Sequence, residues 1–174
     1  MTRKILQSRW RLLKKRKNAT MNKTNEYIKE FDEIIRSVTA AAGKGINSGY
    51  SIVDRGMPHT PATLKHGTMG IYTFLYNDEF LKIGKAGPNS NARFSNQHYL
   101  PRSSQSNLSK SILKDPSMQD IGITEDNVGD WIKKNTRRID VLIDASLGIF
   151  TLELIEAAFH YRYEPRYEGF SNQR

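Results

Sequence analysis

The chain has 174 residues and no cysteine, and its 27 basic and 18 acidic side chains give a formal net charge of +9. This length fits one globular domain with additions and is enough to bury a hydrophobic core. The lack of cysteine excludes disulfide bonds and thiolate metal sites, and it suits a reducing cytoplasm. No apolar run approaches the length of a membrane span, and the basic N-terminus lacks the pattern of a signal peptide. We therefore expect a cytoplasmic protein without a membrane partner.

The positive excess lies in an N-terminal arm. Nine basic residues precede the first acidic residue, Glu26, and from there onward the chain has 18 residues of each sign. Such an arm attracts polyanions, because it neutralises their charges and releases counterions. Nucleic acid is the favoured partner, with an anionic membrane surface or a solvated tail of no specific role as alternatives. The arm residues predicted to contact nucleic acid are Arg3, Lys4, Arg9, Arg11, Lys14, Lys15, Arg16 and Lys17.

An amphipathic helix is predicted after the arm. Thr24 and Asn25 are suitable N-cap residues, and apolar residues recur at helical spacing from Tyr27 to Val38. The apolar face of this helix must be buried against the protein's own core or against a partner subunit. Residues 51–65 hold two prolines, and they are predicted to be irregular.

A β-hairpin is predicted next. Gly70–Tyr76 and Phe80–Gly84 are rich in β-branched and aromatic residues and are separated by Asn77–Glu79. A further strand is predicted at residues 138–143 and a second strong helix at residues 149–163. Shorter helices are predicted at residues 90–99, 108–113 and 128–134.

The hairpin register decides which side chains share one face of the sheet. A two-residue turn would pair Tyr72 with Ile83 and would send Lys82 to the opposite face. A three-residue loop would instead pair Phe74 with Lys82 and leave Tyr72 on the same face as Lys82. We predict the three-residue loop.

Four elements of the sequence resemble, in order and spacing, the motifs of the GIY-YIG nucleases. Gly70-Ile71-Tyr72 is followed by Lys82-Ile83-Gly84, in which lysine stands where the family usually has tyrosine. Arg93 lies where the family has its phosphate-binding arginine. Glu156, with Pro165-Arg166-Tyr167 after it, resembles the closing segment of the family. A three-residue motif alone is weak, but four elements in order are specific.

The resemblance covers residues 68–168, with an insertion at about 103–135. It implies an α/β fold of the α+β type, with a small, mainly antiparallel three-stranded sheet flanked by helices. Residues 1–67 would then be a basic arm and a helix that embrace DNA or contact a second subunit. Residues 169–174 would be a C-terminal tail.

The chemistry implied by the resemblance is hydrolysis of a DNA phosphodiester by a single in-line attack of water. Tyr72 would be the general base, and Lys82 would lower the pKa of Tyr72 or relay its proton. Arg93 would neutralise a phosphate oxygen. Glu156 would hold one Mg²⁺ or Mn²⁺ ion per active site. His98 is a further candidate catalytic residue.

Two positions depart from the family pattern. The family often has His or Tyr one turn after the arginine, where this chain has Gln97, followed by His98 and Tyr99. On an ideal helix, His98 would point about 140° away from Arg93. Glu168 stands in place of the closing asparagine of the family.

Helical phase separates two candidate metal ligands on the last helix. Glu156 lies about 40° from Leu152 of the apolar stripe, whereas Glu153 lies about 100° away from it. A carboxylate at the margin of a buried stripe needs a partner, and a metal ion is one. Glu156 is therefore the predicted ligand, and Glu153 is the alternative.

A compact chain of this kind is most similar to Type II restriction endonucleases, which implies the interior of a prokaryotic cell. Cutting both strands of double-stranded DNA with one site per chain implies a homodimer, with the helix at Tyr27–Val38 as a candidate interface. A cognate DNA methyltransferase would be a functional rather than a physical partner. The alternatives are a homing or repair nuclease of the same family and a DNA-binding module without catalysis. Further candidate DNA contacts are Lys85, Lys133, Lys134 and Arg137, with Asn107, Lys110 and Arg138 as candidates for reading bases.

Overall fold

A computed structural model describes residues 23, 25–103 and 107–168. Its centre is one antiparallel sheet in the order β1-β4-β2-β3. The strands are β1 (Tyr50–Gly56), β2 (Thr68–Tyr76), β3 (Glu79–Ala86) and β4 (Arg137–Asp144). The prediction of an antiparallel sheet flanked by helices is confirmed, but the sheet has four strands rather than three.

The additional strand is β1, which lies largely within the segment predicted to be irregular. It is an edge strand that pairs only with β4, and its side chains are exposed or half-buried. Tyr50 and Ile52 pack against the core. The other residues of the strand include the polar Ser51, Asp54 and Arg55. Short edge strands commonly carry such polar residues, and their sequence pattern is correspondingly weak.

Five helices flank the sheet in the described part of the chain. They are α1 (25–41), α2 (Asn91–Ser95), α3 (Leu108–Lys114), α4 (Val128–Asn135) and α5 (Ile149–Tyr163). The predicted helix at residues 90–99 is in fact two pieces, because α2 ends at Ser95 and a 3-10 turn follows at Gln97–Tyr99. Among the described residues, no helix has the length and apolar character needed to cross a membrane.

The hairpin has the predicted register but not the predicted loop. Asn77 and Asp78 form a two-residue turn, both with positive φ, at 49° and 67°. Phe74 still pairs with Lys82, because a β-bulge lies between this pair and the pair Leu75–Phe80. The three-residue loop was therefore wrong, and the bulge supplies the extra residue that places Lys82 on the same face as Tyr72.

One face of the sheet, here called the hydrocarbon face, packs against α1 and α5. Its core is almost wholly apolar and includes Phe31, Ile35, Ile71, Ile83, Val141, Leu152, Ile155 and Phe159. Phe31 and Ile35 of α1 are fully buried within the chain. A subunit contact through α1 would therefore have to use the outward side of that helix, because its apolar side is already covered.

The opposite face, here called the tyrosine face, packs against α2, α3 and α4. Its apolar members include Tyr72, Phe74, Leu81, Phe94, Leu108, Ile112, Val128 and Ile132. Buried polar side chains lie among them, including Lys82, His98, Arg138 and Asp140. Buried polar groups cost free energy unless they are paired, so this face is where function is to be sought.

Candidate active site

Tyr72 lies in β2 on the tyrosine face and is fully buried. Its ring occupies the space that a side chain at Gly84 would fill, since a Cβ there would lie 2.4 Å from the Tyr72 hydroxyl. A Cβ at Gly70 would similarly lie 2.5 Å from the ring of Phe94. The glycines of both motifs therefore make room for aromatic rings. In the sequence, the only signal of this role is a glycine within a predicted strand, which often marks the close approach of another group.

Arg93 approaches Tyr72 from α2. Its Nε donates to the Tyr72 hydroxyl across 3.3 Å, which is a long hydrogen bond. Its side chain is otherwise exposed, so the guanidinium is accessible from solvent. Proximity of Arg93 to Tyr72 was expected from the resemblance, and the structure brings the two residues together.

Burial raises the pKa of Tyr72 to about 12. The charge and hydrogen bond of Arg93 lower this pKa, whereas the negative charges of Glu168 and Glu156 raise it further. In the free protein the pKa of Tyr72 is therefore raised rather than lowered, and a role of Lys82 as a proton relay stays a prediction. The principal positive charge acting on the phenol is that of Arg93 rather than that of Lys82.

His98 also lies against Tyr72, with the two ring centroids 4.3 Å apart. The 3-10 turn that follows α2 redirects His98, so the direction expected from an ideal helix does not apply. The ring is buried, and neither of its nitrogens makes a hydrogen bond of ordinary length to a described residue, although the backbone of Arg93 acts on the ring as a weak hydrogen-bond partner. Burial holds its pKa well below the usual value, with smaller contributions from the charges of Lys82, Arg138 and Arg93. His98 is therefore neutral at neutral pH.

Two ion pairs border Tyr72, and both involve β3. Lys82 is buried, and its Nζ lies 2.6 Å from Oε1 of Glu168. Lys85, on the hydrocarbon face, forms an ion pair with Glu156 of α5. Glu156 thus reaches the site from the other side of the sheet, and its charge acts on both Tyr72 and Arg93.

Glu156 is the more buried of the two candidate carboxylates on α5. The side chain of Glu156 is 13% exposed, whereas Glu153 is an exposed residue on the outer side of α5. No group of three or more His, Asp or Glu side chains that could hold a metal ion occurs in the described ranges. One half-buried carboxylate fits a hard divalent ion that keeps several water ligands, as Mg²⁺ does.

A buried polar network holds α2 and the 3-10 turn onto the sheet. Arg138 is fully buried between the rings of Phe74 and Phe94. Its guanidinium donates to Asp140 at 2.7 Å, to the Tyr99 hydroxyl at 3.0 Å and to the carbonyl of Phe94 at 2.9 Å. Because Phe94 and Tyr99 flank Arg93 and His98 along the chain, this network fixes the segment that carries both candidate residues.

Two of the candidate base-reading residues cannot contact DNA in this structure. Arg138 is enclosed by the network just described, and Asn107 is fully buried as the N-cap of α3. In the sequence both look like exposed polar residues, Asn107 within the insertion and Arg138 at the start of the predicted strand. Their burial follows from the packing of helices onto the tyrosine face, which the local sequence does not reveal.

Among the other candidate DNA contacts, Lys85 lies beside the site in its ion pair with Glu156, whereas Lys133, Lys134 and Arg137 lie elsewhere. Lys133 pairs with Asp130, and Arg137 pairs with Asp54. Arg137 and the exposed Lys134 line a groove beside the hairpin turn. The predicted contacts in the arm, from Arg3 to Lys17, lie outside the described residues.

No protein-family model matches the chain, and neither a curated protein nor a solved structure matches it. The functional argument therefore depends on the motifs and on the geometry around Tyr72.

Proposed function

We propose that the chain is a metal-dependent DNA endonuclease that hydrolyses phosphodiesters, and more specifically a Type II restriction enzyme. The observation that carries the proposal is the contact between the Tyr72 hydroxyl and Arg93. It joins a group that can exchange a proton with a group that can bind a phosphate. Both belong to motif positions 21 residues apart in the chain.

The proposed roles follow from the surroundings of each side chain. The exposed guanidinium of Arg93 binds a non-bridging phosphate oxygen, which brings the scissile phosphate to the mouth of the Tyr72 pocket. Tyr72 accepts the proton of the attacking water as its own proton leaves. Because its pKa is about 12 in the free protein, this transfer requires neighbouring charges that change when the substrate binds. His98, as a neutral ring against Tyr72, is a candidate acceptor for that proton.

Glu156 is the residue proposed to hold Mg²⁺ or Mn²⁺, one ion for each site. Such an ion, when bound, stabilises the negative charge of the leaving oxygen. In the structure, the carboxylate of Glu156 already lies beside a cation, the ammonium of Lys85. A divalent ion at this carboxylate would have to displace the Lys85 ammonium, because two cations at one carboxylate repel each other.

Catalysis explains the site better than DNA binding alone. Binding of a phosphate requires Arg93 on the surface, but it does not require a buried tyrosine or a buried histidine whose ring nitrogens make no hydrogen bond of ordinary length to a described residue. Unsatisfied buried polar groups are destabilising, and they occur preferentially where chemistry is carried out. A homodimer that cuts both strands of a short site remains part of the proposal, as does a location in a prokaryotic cytoplasm.

The proposal is tested by incubating purified protein with phage DNA and Mg²⁺, beside Glu156→Gln and Glu153→Gln. We expect discrete bands from the wild type and from Glu153→Gln, and no bands from Glu156→Gln or after chelation of the metal. A smear would indicate a nonspecific nuclease. Binding of DNA without cleavage by the wild type would reject the enzyme and favour a DNA-binding module.

A further inference from the structure

Two of the three departures from the family pattern meet in space. Lys82 replaces the tyrosine of the second motif, and Glu168 replaces the closing asparagine. They are 86 residues apart in the chain, yet Lys82 Nζ donates to Glu168 Oε1 at 2.6 Å. Lysine at one position thus lies opposite glutamate at the other, and the two changes compensate each other in charge.

The position of Glu168 is fixed by the segment that precedes it. The backbone N–H groups of Arg166 and Tyr167 donate to the carbonyls of Phe80 and Leu81 at 2.9 and 3.0 Å. The Tyr167 hydroxyl donates to Asp115 at 2.7 Å, which ties the same segment to the internal insertion. Glu168 is therefore held against the edge strand β3 and does not depend on its ion pair alone for its place.

Burial makes the pairing consequential for Lys82. Its side chain is 4% exposed, whereas that of Glu168 is 22% exposed. An ammonium group at this depth is costly to bury without a carboxylate partner. Lys82 pairs with Phe74 and lies two residues before Gly84, the glycine that the Tyr72 ring covers. Loss of Glu168 would therefore allow the Lys82 side chain to move away from the tyrosine face.

We infer that Glu168 is a positioning residue of the Tyr72 site, because its carboxylate fixes the Lys82 ammonium on the tyrosine face. Lys82 and Glu168 act as one unit, which replaces the tyrosine and asparagine of the family pattern. The inference rests on the proposed nuclease function. Its distinctive consequence is that the two residues are not independent: once one is lost, the other contributes little.

The test is a double-mutant cycle of Lys82→Met, Glu168→Gln and the combined variant, with Glu79→Gln as the matched control. Glu79 is exposed and forms an ion pair at 3.1 Å with Arg166, which lies two residues before Glu168. No role at the Tyr72 site is proposed for Glu79. Cleavage is measured as a single-turnover rate constant at saturating DNA, and DNA affinity is measured separately with Ca²⁺ in place of Mg²⁺. Urea unfolding of each variant shows that it is folded under the assay conditions.

We expect each single variant to cleave about 10- to 100-fold more slowly, with a DNA dissociation constant within about twofold of the wild type. The combined variant should be within about threefold of the slower single variant, and Glu79→Gln should cleave normally. Losses that multiply in the combined variant, or a Glu168→Gln protein that cleaves like Glu79→Gln, would overturn the inference. A wild type that does not cleave would overturn the proposed function as well, so the two failures are distinguishable.

Discussion

The two faces of the sheet bury their side chains for different purposes. On the hydrocarbon face, residues such as Phe31, Ile71 and Phe159 are fully buried among other apolar groups. On the tyrosine face, Lys82, His98 and Arg138 are buried to a similar degree. Apolar burial stabilises the fold directly, whereas burial of charged and polar groups opposes folding unless every group finds a partner.

The contrast also shows where partners are present and where they are not. Arg138 has three hydrogen-bond partners, while neither ring nitrogen of His98 makes a hydrogen bond of ordinary length in the described part of the chain. The satisfied network is structural and fixes the segment that carries Arg93. The unsatisfied ring lies where we place the proton transfer. The hydrocarbon face thus supports the fold, and the tyrosine face combines support with the proposed chemistry.

The largest effect on stability is expected from Arg138→Met. Removing the guanidinium leaves Asp140 buried with only Arg55 as an ion-pair partner and leaves the Tyr99 hydroxyl without its donor. We expect the free energy of unfolding in urea to fall by about 3–5 kcal/mol. The matched control is Ile139→Val on the hydrocarbon face, which should cost about 0.5–1.5 kcal/mol. Equal costs for the two variants would remove the distinction between the faces.

Gly84→Ala should disturb the site more than the fold. The new methyl group would lie 2.4 Å from the Tyr72 hydroxyl, so the ring has to move. We expect the free energy of unfolding to fall by about 1–3 kcal/mol. Cleavage should slow by about 100-fold or more, because the tyrosine ring is displaced. Gly45→Ala is the control, because its Cβ would make only ordinary contacts, at 3.5 Å from Ala40. Normal cleavage by Gly84→Ala would show that the ring position is not critical.

The alkaline stability of the protein should respond to Tyr72→Phe. The pKa of Tyr72 is raised from 10.0 to about 12, so the folded state favours the protonated phenol. This contribution is fully present below about pH 10 and is lost as the pH rises towards about 12. Between pH 9 and pH 11, the wild type should therefore lose about 1 kcal/mol more stability than Tyr72→Phe. Parallel stability curves for the two proteins would contradict the burial of the phenol.

The smallest effect is expected at a surface ion pair. Arg102 and Glu125 lie 2.8 Å apart, but their side chains are 89% and 57% exposed. Solvent screens such a pair, so Glu125→Gln should change the free energy of unfolding by less than about 0.5 kcal/mol. If Glu125→Gln lowered the free energy of unfolding as much as Arg138→Met, burial would not explain the difference between the exposed and the buried ion pair.

Local pattern was sufficient to predict the hairpin, α5 and the greater burial of Glu156 compared with Glu153. These predictions depend on residues that are close in sequence, such as the periodicity around Leu152. The register that places Tyr72 and Lys82 on one face was also predicted. The loop length was not, because a β-bulge in the hairpin takes the place of the third loop residue.

Long-range packing accounts for what the sequence did not predict. The contact of Arg55 with Asp140 spans 85 residues, and that of Lys82 with Glu168 spans 86. The burial of Arg138 depends on two aromatic rings from distant strands and helices. No local periodicity encodes such contacts, so a polar residue that is buried in the fold looks like a surface residue in the sequence.

The central claim is that the Tyr72 hydroxyl takes part in phosphodiester cleavage. The direct test is the single-turnover cleavage rate of Tyr72→Phe beside Tyr76→Phe, which removes a hydroxyl from the same strand four residues away. We expect Tyr72→Phe to cleave at least about 100-fold more slowly with unchanged DNA affinity, and Tyr76→Phe to cleave like the wild type. Equal rates for Tyr72→Phe and the wild type would contradict the claim.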